Sequence, residues 1–176
     1  MHAVRASQRF SLRFYFQALS GLLRDPGGFY AGLPEAMGPG PALGCLLLSS
    51  LIFTLASLMN TVLDTLTAGA IFLTNAVGMS VISAGLGFAA TLMTTGRRLR
   101  FSRFFTIYAL ASGVTLLAAW MPYFLVITEP WKWWLIFLGL TRGLGLKRGE
   151  ALTVVGLSIG ILVLVFWTCI PLIASR

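Results

Sequence analysis

The sequence predicts an all-α integral membrane protein, a bundle of five transmembrane helices preceded by an interfacial amphipathic helix. Three observations carry the prediction. Of the 176 residues 57% are hydrophobic and 10% charged, with a mean hydropathy of +0.88, whereas a soluble domain needs about 25% charged residues to cover its surface. Between Asp64 and Arg97 no side chain is charged, a run far longer than the roughly 20 apolar residues that cross a hydrocarbon core. The arginines, finally, cluster between apolar runs, where loops meet a membrane surface. A soluble helical core is excluded because such runs leave no polar face for water.

The chain divides into an N-terminal segment, residues 1–40, expected to be cytosolic, and a membrane domain, residues 41–176. In the segment, Arg9, Arg13, Gln17, Ser20 and Arg24 recur every three or four residues and form one polar stripe. Leu12, Tyr15, Phe16, Leu19, Leu22 and Leu23 take the opposite arc, the pattern of a helix lying in the interface plane. A helix packed against the bundle is the alternative. No uninterrupted apolar region suits a cleaved signal peptide. Asp25-Pro26-Gly27-Gly28 should stop the helix, because proline lacks a donor and glycine loosens the backbone. Phe29 and Tyr30 suit an aromatic belt at the headgroups, and Gly38-Pro39-Gly40-Pro41 makes a hinge into the membrane.

Five spans are expected at about 42–60, 68–95, 104–121, 123–141 and 150–173. The second is long enough to require tilt or a bend. The fourth is the least regular, since Glu129-Pro130-Trp131-Lys132 interrupts it, and a shorter fourth helix starting at Pro130 is the other way to divide the region. Charge supports the crossing. Arg5, Arg9, Arg13 and Arg24, then Arg97, Arg98, Arg100 and Arg103, then Arg142, Lys147 and Arg148 fall on one side, and Lys132 and Arg176 on the other. Eleven against two is a strong positive-inside bias with the N-terminus cytoplasmic and the C-terminus outside. Without the fourth crossing, the 142–148 loop changes sides and the asymmetry is lost. The same logic accounts for the net charge of +8. A nucleic-acid site needs a basic patch on a water-exposed domain, whereas these arginines suit topology and anionic lipid headgroups.

Catalytic chemistry has little to work with. His2 is the single histidine, and nothing places it beside Cys45, Cys169 or a serine, as nucleophilic catalysis requires. Asp25, Glu35, Asp64, Glu129 and Glu150 are scattered over five connecting regions, so no acid pair is expected. No Cys/His cluster suits a metal, and no cofactor is implied. Gly85-Leu86-Gly87-Phe88-Ala89-Ala90 matches a dinucleotide fingerprint only in letters, because no strand precedes it. Those glycines suit helix packing better. Ser83/Gly87, Gly85/Ala89 and Gly156/Gly160 are small-xxx-small pairs, expected to pack the second span on the fifth in preference to forming a homo-oligomer. Ser49, Ser50, Thr54, Ser57, Asn75, Ser80, Ser83, Thr91 and Thr94 put polar groups in the first two spans. With Asp64 they define a possible polar path, although hydroxyls also bond their own helix backbone. Asn75 is expected to bond between helices, and Asp64 to face water.

Several features occur in order: Asp25-Pro26 followed by Phe29-Tyr30; Pro41-Ala42-Leu43 opening the first span; a basic loop leading into Phe101–Tyr108; Trp120-Met121-Pro122; Trp134 ahead of Gly139-Leu140; and the Gly145–Ala151 stretch. Over residues 22–173 this resembles the Yip1 domain family of five-span membrane proteins. The resemblance implies a five-helix bundle with a cytosolic N-terminal segment. Eukaryotic members act in vesicle trafficking with Rab-type GTPases, but their Asp-Leu-Tyr-Gly-Pro motif has no counterpart here. The segment from Pro122 to Gly139 is also short for the family. The chain looks like a prokaryotic relative in a cytoplasmic (inner) membrane, for which the resemblance implies a fold and no particular activity.

Three functional expectations follow. The first is a non-enzymatic scaffold or adaptor, with Arg9, Arg13, Arg24, Arg97, Arg98, Arg100 and Arg103 as contacts to membrane lipids or a protein partner. For the four loop arginines, a topology signal without a ligand is the competing account. The second is a small transporter or permease component with its polar path at Asp64 and Asn75. The third, a lipid-modifying enzyme, is weakest because no acid–base pair shares a leaflet.

Overall fold

A computed structural model describes residues 10–34, 37–59, 64–96, 99–121 and 123–174. Those residues are helical or in turns, with no strand among them. The helices are α1 (Leu12–Arg24), α2 (Pro26–Ala31), α3 (Gly40–Leu58), α4 (Thr65–Thr95), α5 (Phe101–Ala119), α6 (Leu125–Leu138) and α7 (Arg148–Ala174), with a π-helical turn at Gly139–Gly143 after α6. Three of them, α3, α4 and α5, are long and apolar enough to cross a membrane. The chain is therefore an α-helical protein built for membrane integration.

Each boundary has a local cause. Ser11 caps α1 by accepting from the Phe14 amide at 3.2 Å. Asp25 ends α1 and caps the next helix, its Oδ1 accepting from the Gly28 amide at 2.9 Å. Asp25-Pro26-Gly27-Gly28 does stop α1, but Pro26 then starts α2, because its missing N–H is harmless in a first helical turn. Pro41 plays the same part in the first turn of α3. Gly96 ends α4 in the left-handed region, φ 61°, and Gly145 does so after the π-turn, φ 66°, with the Leu146 amide donating to the Leu140 carbonyl at 3.2 Å.

Successive long helices run antiparallel. The Phe53 and Phe72 rings meet 6.3 Å apart between α3 and α4, and Phe88 and Phe104 5.7 Å apart between α4 and α5. Gly139 lies against Ile107, pairing the end of α6 with the start of α5. The central helix is α5: 67% of its apolar window is buried, against 39% for α3 and for α4. Lipid is as apolar as leucine, so burial from lipid stabilises little and close packing must hold the bundle. Glycine and serine supply it. A side chain at Gly87 would collide with the Tyr108 ring, and one at Gly139 with Ile107.

The fourth expected span corresponds to α6 and the π-turn that continues it without a gap, residues 125–143. α6 contains Pro130 in its interior and has 14 residues, about 21 Å at 1.5 Å per residue, less than a hydrocarbon core of about 30 Å. α5 ends at Ala119 and α6 begins at Leu125, with Tyr123 at φ 69° between them, so Pro130 is inside α6 and not at its start. α7 extends for 27 residues, slightly beyond both expected limits.

Phe29 and Tyr30 also depart from expectation. Both are buried, Tyr30 at 1% exposure, and the Tyr30 hydroxyl donates to the Ile107 carbonyl at 3.5 Å. They hold α2 to α5 and the π-turn and do not face headgroups. Aromatic residues near a boundary are equally suited to fill a protein crevice.

Candidate membrane-surface site

The polar groups of the N-terminal segment are carried largely by α1. At 100° per residue its side chains sort into three faces. Phe14, Tyr15, Ala18 and Leu22 are buried against the bundle. Arg13, Gln17, Ser20 and Arg24 form an exposed polar face. Leu12, Phe16 and Leu23 form a third, apolar and exposed, at 61%, 65% and 59%. The helix packs on the bundle, the alternative reading of its sequence, and it keeps a second apolar edge uncovered. Phe14 and Ala18 belong to the buried face, which the sequence pattern did not single out.

Three contacts fix α1. The Tyr15 and Ser49 hydroxyls are 3.1 Å apart in a buried position. Phe10 lies across Gly44, where a side chain would strike its ring. Phe29 covers Gly21 in the same manner, folding α2 back on α1. Glycine at 21 and 44 permits these approaches. Burial pushes the Tyr30 phenol well above its ordinary pKa, so it stays a neutral donor.

Basic side chains occur on α1, at the start of α5 and in the π-turn. Arg13, Arg24, Arg100 and Arg142 are exposed and Arg103 half-buried. Arg103 borders a cavity with Leu33, Pro34, Met37, Thr106, Ile107 and Gly143 of about 20 Å³, room for one water. The nearby acids serve the backbone. Asp25 caps α2, and the Glu150 carboxylate accepts from the Lys147 amide at 2.9 Å. Exposed positive charge therefore dominates this end of the described protein. Arg9, Arg97 and Arg98 lie outside the described residues.

The other expected sites are dispersed. Asp64 is exposed at the opposite end, capping α4 through its Oδ2 to the Thr67 amide at 3.0 Å and hydroxyl at 3.1 Å. The backbone bond first and the hydroxyl second hold its carboxyl below the usual aspartate range. Asn75 is exposed on the outer face of α4, not between helices. Ser80, Thr91 and Thr94 each donate to the carbonyl four residues earlier in α4. Ser50 and Thr54 are buried without a hydrogen-bond partner. A second cavity, beside Tyr15, Cys45, Ser49 and Gly113, is about 10 Å³.

Of the small-residue pairs, Ser83 and Gly87 are buried, with Gly87 beneath Tyr108 of α5. Gly85 is half-buried, with open space where a Cβ would stand, Ala89 is exposed, and Gly156 and Gly160 are exposed on α7. α4 does contact α7, but these two glycines face away. No group of three or more metal-ligating side chains occurs among the described residues. No family model matches the chain, and neither a curated protein nor a solved structure matches it significantly.

Proposed function

We propose that this chain is a non-enzymatic membrane scaffold or adaptor of the Yip1 type, in a prokaryotic cytoplasmic membrane, that engages anionic lipid headgroups through α1 and the arginines around it. In this reading α6 with its π-turn and α7 complete five crossings, with the N-terminus inside. The antiparallel order of the helices and the gathering of basic residues at one end support that topology.

The observation that carries the lipid reading is the three-faced α1. A helix needs only two faces to float at an interface and only one to pack on a protein. Here one face is seated on the bundle, one is apolar and open, and one carries Arg13 and Arg24. That arrangement holds a helix at fixed depth, with acyl chains on one side and phosphates on the other. A headgroup near Arg13, Arg24 and Arg100 meets exposed positive charge, and Asp25 and Glu150, acids of the described residues at this end, are engaged with backbone amides.

The test is native mass spectrometry of the protein in nanodiscs containing phosphatidylglycerol or only phosphatidylcholine. Phosphatidylglycerol should remain bound preferentially. Replacing Arg13, Arg24, Arg100 and Arg103 by glutamine should abolish the preference. Equal retention of both lipids by the unaltered protein would sink the reading. The permease reading is disfavoured by the separation of Asp64 from Asn75 and by the outward position of Asn75.

A further inference from the structure

Asn75 stands out because its carboxamide has no hydrogen-bond partner among the described residues, and acyl chains offer none. Its depth follows from register. Phe72 of α4 meets Phe53 of α3, and Gly69 lies beside Thr54. Because the helices are antiparallel, Asn75, three residues beyond Phe72, is level with Ser50, three residues before Phe53. Ser50 is near the middle of α3, itself a membrane-length helix. Asn75 is therefore exposed on α4 at the level of the middle of α3, and it has no hydrogen-bond partner among the described residues. A helix interior satisfies its own backbone, but a side-chain amide in hydrocarbon keeps two donors and an acceptor unpaired.

We infer that α4 docks against α4 of a second copy of this chain, with Asn75 hydrogen-bonded to its own counterpart. The occupant is a second copy because an amide is self-complementary. About a two-fold axis each Asn75 donates to the other's carbonyl oxygen, so both are satisfied by one contact. The surrounding sequence fits such a seam. Ile71, Asn75, Gly78, Ile82, Gly85 and Ala89 are spaced four, three, four, three and four apart, the repeat that keeps one stripe facing a partner helix in a left-handed pair. The stripe lies roughly opposite the buried face of Ala76, Ser80, Ser83, Gly87 and Ala90. Gly78 and Gly85 leave open space where side chains would begin, so a second backbone can approach. The glycines alone would assign nothing. The unpaired amide requires a partner, and it sits in the position where a single asparagine fixes register in paired helices.

The inference rests on α4 lying in a membrane and not on lipid headgroup binding, so the two fail separately. Its test is disulfide crosslinking of the full chain in native membranes, with Cys45 and Cys169 replaced by alanine and single cysteines introduced along α4. Cysteines at 78, 82, 85 and 89 should give crosslinked homodimers, whereas those at 70 and 81, both exposed but off the stripe, should not. In liposomes, Asn75→Leu should weaken dimerisation about tenfold, the scale of one interhelical hydrogen bond in hydrocarbon, and Asn75→Gln should largely preserve it. Asn75 is outside the protein core, so neither variant disturbs folding. Crosslinking without periodicity, a monomer at every lipid dilution, an unaffected Asn75→Leu dimer, or capture of a different protein by the stripe would each overturn the inference.

Discussion

The phenol of Tyr15 meets the hydroxyl of Ser49 at 3.1 Å, a buried bond between residues 34 apart that joins α1 to α3. Tyr15 is 3% exposed and Ser49 fully buried, so water competes little with either. Tyr15→Phe keeps the ring and removes the bond, leaving Ser49 to turn elsewhere. The expected loss is about 1 kcal/mol, measured by thermal unfolding in detergent. Adding Ser49→Ala should cost little more, because both unsatisfied groups are then gone. Additive losses in the double variant would show that the two hydroxyls act independently.

How much of this was legible beforehand depends on what each residue faces. The limits of α3, α4, α5 and α7 were readable within a few residues, because Gly38-Pro39-Gly40-Pro41, the 97–100 basic run and the 142–148 loop break the apolar runs. Orientation was not readable. In water, apolar means inward. In a bilayer Leu22 and Leu23 are equally apolar, yet one is buried in protein and the other is open. The same ambiguity hid the burial of Phe29 and Tyr30 and the outward position of Asn75. The π-turn at Gly139–Gly143 had no periodic signal, and only its two glycines hinted that Ile107 and Tyr30 would press close.

Gly87 and Gly156 provide a matched pair for testing close approach. Both are interior to long helices, where alanine is intrinsically favoured by up to about 1 kcal/mol. A methyl at 87 would collide with the Tyr108 phenol, whereas at 156 there is nothing within 4 Å. Gly87→Ala should therefore destabilise the bundle by about 1–3 kcal/mol as Tyr108 is displaced, and Gly156→Ala should be neutral or mildly stabilising. Combining Gly87→Ala with Tyr108→Leu should recover part of the loss. Equal effects at 87 and 156 in detergent unfolding would place Tyr108 elsewhere.

Asp64 should make the first turn of α4 sensitive to acid. Its carboxyl is held below the usual range by the Thr67 amide and then by the Thr67 hydroxyl. A depressed folded-state pKa contributes stability that is fully present above the unfolded value. The contribution disappears as pH falls through the folded one, so the effect belongs below the ordinary aspartate range. Hydrogen exchange at the Thr67 amide should accelerate there beyond its intrinsic pH dependence. Asn caps a helix about as well as Asp but does not titrate, so Asp64→Asn should keep the protection and abolish the acid response. Protection that is unchanged in acid in the unaltered protein would exclude the cap.

Leu22 and Leu23 allow the two apolar faces of α1 to be told apart in one experiment. Leu22 is 1% exposed among protein groups, and Leu23, the next residue, is 59% exposed. Leu22→Ala should open a cavity between α1 and the bundle, costing about 2–5 kcal/mol, and this loss should appear in detergent and in liposomes alike. Leu23→Asn removes little buried surface and should leave detergent unfolding nearly unchanged. In liposomes it places an amide among acyl chains, and a spin label at Ser20 should then report a shallower α1. If Leu23→Asn destabilised the protein in detergent, the third face of α1 would be packed on protein. The lipid-facing account of that helix would then fail while its attachment through Tyr15 stood.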